Sequence, residues 1–254
     1  MAFRGRVAFV TGAASGMGRR AVQRLARTGA AVAAFDVNEA GLEETARGLA
    51  GVRTGVLDVT DRKAVEAAVL RVEAELGPID RVMSAAGVMP TCPLLEEDVD
   101  RIHRVMAINY SGSVNVAMAI VPRMVERRSG DFVQFASAAG LIPNLHYAAY
   151  NASKFAIAAF TEVLWQETRG KGLRVACVCP GPVDTPLLDQ ANPRTRIVRA
   201  GTRIPPERVL DDIERCLERG RFYVFANWQS ALGWRIRRFA PGLMWWINHR
   251  IEGE

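Results

Sequence analysis

Tyr150 and Lys154, in the segment YNASK, stand four residues apart, which puts both side chains on one face of a helix. A phenol beside an ammonium can transfer protons. A free tyrosine ionises near pH ~10, and a neighbouring positive charge favours the phenolate. Lowering that pKa by about three units takes about 4 kcal/mol of differential stabilisation. Alone the pair is weak evidence, because tyrosine and lysine also meet by chance on solvated helix faces.

A second chemical feature lies near the start of the chain. VAFVTG runs into TGAASGMG, with Gly12, Gly16 and Gly18 spaced as GxxxGxG. Glycines between a strand and a helix let the backbone turn tightly and let a pyrophosphate approach the helix N-terminus. Ser15 and Met17 fall within the same turn and join the expected cofactor contacts. Asp36 ends the next apolar run, about 20 residues on, where a carboxylate can accept hydrogen bonds from a ribose 2′-hydroxyl and would repel a 2′-phosphate. Neither Ser15 nor Val37 offers that phosphate a cation, and Arg19 and Arg20 lie inside the helix. The expected cofactor is therefore NAD rather than NADP.

Elements of alternating period must position these groups. Short β-rich apolar runs (VAFVTG, AAVAAFD, VRTGVLDVT, DRVMSAAG, DFVQFASAAG, LRVACVCPG, RFYVFA) alternate with segments of helical period. That rhythm indicates an α/β fold, a Rossmann-type doubly wound parallel sheet with helices on both faces. The third strand is expected to end near Asp58, the helix after Asp36 to run through Leu49, and one long helix to cover Val99 to Arg127. No linker divides the chain, so residues 1–226 read as one domain and 227–254 as a C-terminal extension. The motifs fall at carboxyl ends of strands, where such sheets bind ligands.

With TGAASGMG, Asp36, NYSG and YNASK in the same order, the chain resembles the short-chain dehydrogenase/reductase family over about residues 5–225. The resemblance implies a catalytic tetrad of Asn109, Ser137, Tyr150 and Lys154, with Ser137 bonding the substrate oxygen and Asn109 anchoring a water in the proton path. It implies cofactor contacts from Asp58 and Val59 at the adenine, from Ala86 and Gly87 in SAAG, from Tyr150 and Lys154, and from Pro180, Gly181, Val183 and Thr185 in PGPVDTP. It also implies a homodimer or homotetramer, through helices around residues 100–127 and 150–169. Two departures stand out. Ser84 replaces the usual first Asn of the Asn-Ala-Ala-Gly segment, and GRFYVFANWQ replaces a Val-Asp-Gly-Gly-like ending.

The expected activity is hydride transfer between NAD and a hydrophobic secondary alcohol or ketone, steroid-like or lipid-like, lined by Met89, Leu141, Leu145, Tyr147 and Leu187. A reductase of β-ketoacyl thioesters is an alternative, suggested by Arg194, Arg196, Arg199 and Arg203 in the loop 190–204; a non-catalytic NAD-binding sensor is another. The chain has 254 residues, 49% hydrophobic and 24% charged, with net charge +6. Its basic residues are dispersed among acids, which argues against a nucleic-acid surface. Cys92, Cys177, Cys179 and Cys216 show neither metal-ligand nor secreted-disulfide spacing, so no metal is expected. No apolar run reaches the ~20 residues of a bilayer span, and no signal peptide opens the chain, so the expected location is cytoplasmic. The tail SALGWRIRRFAPGLMWWINHRIEGE combines apolar helical faces with Arg and Trp. It suits a lid, an oligomer contact or a membrane-surface segment.

Overall fold

The β-rich runs VAFVTG and AAVAAFD are apolar at successive rather than alternate positions, the pattern of strands covered on both faces. In the computed structural model, which describes residue 3, residues 5–191, residue 196 and residues 202–252, the β-rich runs form one seven-stranded sheet. The strands are β1 (Val7–Thr11), β2 (Ala31–Asp36), β3 (Val52–Val56), β4 (Arg81–Ser84), β5 (Gly130–Phe135), β6 (Leu173–Val178) and β7 (Tyr223–Val224). Their order is β3-β2-β1-β4-β5-β6-β7, and every pair is parallel. The order reverses between β1 and β4, so a crevice opens at their carboxyl ends.

Helices cover both faces. Helices α1 (Gly16–Arg27), α2 (Glu39–Ala46) and α7 (Pro206–Glu218) enclose one core with Val10, Val32, Val133 and Val178. On the other face α3 (Arg62–Leu76), α4 (Val99–Met106), α5 (Gly112–Glu126) and α6 (Ala148–Glu167) surround a second core, including Phe9, Phe132, Ile120 and Ile157. Fully burying each such side chain stabilises the fold by roughly 1.5–3 kcal/mol. A π turn at Ala107–Ser111 joins α4 to α5, so the long apolar stretch is one bent helix packed inside the fold. After β7, helices α8 (Trp228–Phe239) and α9 (Pro241–Glu252) fold back over the carboxyl ends of the strands.

Several boundaries differ from the sequence expectation. Helix α2 stops at Ala46, just before Gly48 at φ +72°. Strand β3 stops at Val56, because Asp58 turns to accept bonds from the Thr60 amide and hydroxyl, both 2.8 Å. Ser84 is buried, and the bonds beside it come from its neighbours. Thr11 Oγ1 accepts from the amides of Ala85 (3.2 Å) and Ala86 (3.4 Å), and Gln134 Nε2 donates to the Ser84 carbonyl (3.3 Å). Cys177 and Cys179 do share one side of β6, as buried free thiols 3.6 Å apart.

At the opposite, amino-terminal edge of the sheet a charge cluster crosses three strands. Arg81 on β4 is 1% exposed and pairs in register with Asp131 on β5, which pairs with Arg174 on β6. Arg81 Nη2 lies 2.7 Å from Asp131 Oδ2, Arg174 Nε lies 2.7 Å from Asp131 Oδ1, and Glu214 of α7 also binds Arg81. Burial opposes the Arg81 charge, but Asp131 and Glu214 more than offset it and hold its pKa above the ordinary value. Removing one partner of such a buried set leaves a stranded charge. Arg81→Met is therefore expected to lower unfolding free energy by about 3–5 kcal/mol in urea titrations. A loss below about 1 kcal/mol, the scale of a surface pair, would show that the cluster is not what fastens β4 to β5 and α7.

Candidate functional site

The turn after β1 is built so that backbone, not side chain, faces the crevice. Gly12 sits at φ +67°, and a Cβ there would lie 2.7 Å from the Ala85 carbonyl group. A Cβ on Gly18 would lie 2.0 Å from the Gly12 oxygen, so the first turn of α1 packs directly on the loop. Ser15 caps α1 by position but makes no side-chain cap bond. The first amides of that helix are thus available to an anion at the end of its dipole. Asp36 receives the Ala14 amide on Oδ2 (3.1 Å) and the Asn38 amide on Oδ1 (3.0 Å), which fixes its carboxylate beside the loop. Arg19 points away from any 2′-phosphate position, with its guanidinium on the Ala14 carbonyl and 2.8 Å from Glu44.

These groups open into one cavity of about 900 Å³ that runs the width of the crevice. Each residue expected at the cofactor lines it: Gly12, Ser15, Gly16, Met17 and Gly18 from the first turn, Asp36 from β2, and Asp58 and Val59 after β3. Ala86 and Gly87 follow β4, Pro180, Gly181, Val183 and Thr185 follow β6, and Tyr150 and Lys154 come from α6. Asn115 of α5, not singled out in the sequence, holds the Val59 carbonyl at 2.9 Å. A glycine cradle, an uncapped helix N-terminus and a carboxylate fixed beside them together fit NAD.

Ser137, Tyr150 and Lys154 meet on the same cavity. Ser137 lies two residues past β5 and accepts from the Ala139 amide at 3.1 Å. Its hydroxyl is close enough to the Tyr150 phenol to favour ionisation of that group. Lys154, one turn below Tyr150, donates to the Phe135 carbonyl at 2.9 Å, with Nζ 5.6 Å from the Tyr150 ring centre. Burial pushes the phenol up to about 12, and Ser137 lowers it only in part. Burial likewise pulls the ammonium down to about 8. Among the protein's own groups, desolvation is the largest influence on both; the sequence expectation of a lowered phenol rests on Lys154 together with the charged nicotinamide ring.

Asn109 sits in the π turn, fully buried, and does not line the cavity. Its Oδ1 accepts from the Val88 amide (2.8 Å), and its Nδ2 donates to the Val88 carbonyl and to Ser153 Oγ (both 3.0 Å). Ser153 in turn donates to the Tyr150 carbonyl at 2.8 Å. The side chain of Asn109 thus ties the cavity wall to α6.

Of the residues expected at the substrate, Met89, Tyr147 and Leu187 line the cavity; Leu141 and Leu145 do not. Leu141 turns into the core under α6 instead. Unforeseen lining comes from Leu188, Ile236, Met244, Ile247 and Asn248, and from Gln190, whose Oε1 accepts the Met89 amide at 2.8 Å. In the arginine loop, Arg203 is paired with Asp184 at 2.9 Å, which leaves its charge compensated. Arg194 and Arg199 lie outside the described residues. Among the described residues no His/Cys/Asp/Glu group could hold a metal.

The short chain dehydrogenase family model matches residues 6–196. A 1-deoxy-11-beta-hydroxypentalenate dehydrogenase of Streptomyces exfoliatus is 39% identical over 230 residues, 87% of this chain and 83% of that one. The NAD(+)-dependent 2-dehydro-3-deoxy-L-rhamnonate dehydrogenase of a Sphingomonas strain is 36% identical over 208 residues, 82% of this chain and 83% of the relative. A short chain dehydrogenase/reductase from Burkholderia phymatum, crystallised with NAD, superposes with TM-score 0.85 at 25% identity, covering 96% of both chains. The chain belongs to the short-chain dehydrogenase family. It is an oxidoreductase, and its cofactor is NAD.

The lowered Lys154 pKa has a consequence for stability. Between about 8 and 10.5 the folded protein holds this group neutral while the unfolded chain holds it protonated. The cost of burying the charge is thus present below pH 8 and fades as pH rises through that window, for a total of about 3 kcal/mol. Lys154→Met removes the effect. The stability of the wild type relative to the variant is expected to increase between pH 8 and pH 10 in parallel urea titrations, and a flat difference would mean that Lys154 ionises normally.

Proposed function

We propose that this protein oxidises hydrophobic secondary alcohols with NAD and reduces the corresponding ketones, with Tyr150 as the general acid–base. The observation that supports this reading most is that Ser137, Tyr150 and Lys154 line one cavity with the glycine turn and a set of apolar side chains, with Lys154 Nζ 5.6 Å from the Tyr150 ring centre. Bound NAD supplies the hydride acceptor and, when oxidised, a positive charge in the cavity.

The chain's own groups handle the proton. Tyr150 accepts the alcohol hydroxyl proton as the carbinol C–H bond breaks and the C=O bond forms; in reduction it returns that proton to the carbonyl oxygen. Ser137 hydrogen-bonds the same oxygen, where charge develops. Lys154, held by the Phe135 carbonyl, orients the base of the site and has a charge that is easily lost. Asn109 and Ser153 keep α6 in place. Met89, Leu187, Leu188, Ile236, Met244 and Ile247 favour an apolar substrate body. The Streptomyces relative, whose substrate name carries a hydroxyl group, supports an alcohol substrate. Outward-facing Val99, Met118, Phe155 and Val163 on α4 to α6 support a homodimer through that face.

Tyr150→Phe is expected to lower turnover of a bulky secondary alcohol by about 10²–10⁴-fold, followed by NADH absorbance, with NAD binding unchanged by titration calorimetry. Wild-type turnover in the variant would remove Tyr150 from the chemistry. Because the phenol is high, carbonyl reduction should be insensitive to pH near neutrality while alcohol oxidation rises with pH. An oxidation rate that falls from pH 7 to pH 9 would contradict that order.

A further inference from the structure

We propose that the helix pair α8–α9 docks this protein on an anionic lipid surface, so that the cavity beneath the pair faces the bilayer. The inner side of the pair belongs to the cavity: Ile236, Met244 and Ile247 line it, Met244 is 6% exposed, and Asn248 Nδ2 donates to the Pro143 carbonyl at 3.3 Å. The outer side carries a second surface that begins at the cavity mouth. On α8, Trp228, Leu232, Arg235 and Phe239 follow at intervals of four, three and four residues, which makes one stripe; Trp228 and Leu232 also reach the cavity, and Arg235 and Phe239 do not. All four are exposed, Trp228 at 69% and Phe239 at 81%. On α9, Leu243, Trp246 and Arg250 repeat the pattern, with Trp245 beside them. Large apolar side chains left this open in a contiguous group mark an interaction surface.

Charge chooses the partner. From Asn227 to Ile251 the chain carries Arg235, Arg237, Arg238 and Arg250 and not one Asp or Glu. Two of these cations lie over indole faces: Arg250 is 5.4 Å from the Trp246 ring centre and Arg237 is 5.9 Å from that of Trp245. Indoles with arginines at their edge, on helices lying flat, suit the boundary between headgroups and acyl chains. Each arginine adds attraction to anionic lipid. A second copy presenting the same face would set arginines against arginines with no carboxylate between Asn227 and Ile251 to pair them. The other exposed apolar face, on α4 to α6, lacks this run of uncompensated charge near its apolar residues: Arg101 on α4 pairs with Glu97, and Arg123 on α5 with Glu73 at 2.5 Å. Docking does not depend on the substrate reading above; only delivery of an apolar substrate from the bilayer rests on it.

The test is sedimentation of the full chain with vesicles of phosphatidylcholine, alone or mixed equally with phosphatidylglycerol, without substrate. Binding to the mixed vesicles is expected to be at least about tenfold tighter, to weaken with salt, and to blue-shift tryptophan fluorescence. Arg238→Gln should weaken it about fivefold. Phe239→Ser with Trp246→Ser should abolish it while NAD binding, measured by calorimetry, stays intact; neither residue lines the cavity. No sedimentation of folded wild type with the mixed vesicles overturns the proposal, as does equal sedimentation of the double variant. If vesicles are ignored and the double variant instead lowers the oligomeric state in analytical ultracentrifugation, the face joins copies of this chain and the proposal fails. Vesicle binding with no turnover of any alcohol would count against the substrate reading alone.

Discussion

The hydrogen bond from Lys154 Nζ to the Phe135 carbonyl joins the end of β5 to the helix that carries Tyr150. Two residues past that carbonyl the same strand end supplies Ser137, so one short piece of backbone sets both the depth of the ammonium and the position of the hydroxyl. The turn after Ser137 then lies directly on α6: a Cβ on Gly140 would stand 2.4 Å from the Lys154 carbonyl oxygen. This closeness buries the lysine and tyrosine alike, except where they face the cavity. Burial is the largest of the influences that move their ionisation, in the directions that disfavour charge.

A parallel sheet has two unlike ends, and this protein uses them differently. The carboxyl ends diverge at the switch between β1 and β4 and leave a crevice floored by backbone. The amino ends are closed by Arg81, Asp131, Arg174 and Glu214, with the Phe3 ring 4.5 Å from the Arg81 guanidinium. Charges that would be costly near a reacting carbonyl are thereby confined to the far side of two apolar cores. Tethers of intermediate reach, Thr11 to Ala85 and Asn109 to Val88, keep the strand ends beside the crevice from spreading.

Local features were readable in the sequence. The glycine turn, Asp36 and YNASK each depend on spacing within one strand–turn–helix unit, and every expected cofactor residue lies on the cavity. What sequence could not show depends on packing. Leu141 and Leu145 flank a turn in which His146 adopts φ +66°, and that backbone twist decides which side chains reach the cavity. Ser153 and Asn115 bond to groups 44 and 56 residues away, with no local signature. The paired apolar faces of the tail were evident from periodicity, but not which of them would close over residues 142–144. The burial that raises the Tyr150 phenol comes from packing around α6, which residue spacing does not show.

The cover over the cavity comes after the final strand; it starts at the Asn227 N-cap, packs Trp234 on Tyr223 and Phe225, and is tied to Pro143 by Asn248. Neither the glycine turn nor the Ser137–Tyr150–Lys154 group depends on it for backbone support. Changes confined to the last two helices can therefore alter what the enzyme accepts and where it works while leaving the hydride-transfer machinery alone. In evolutionary terms, selection can edit the two halves of this fold independently, with specificity residing in the part whose mutation least endangers folding.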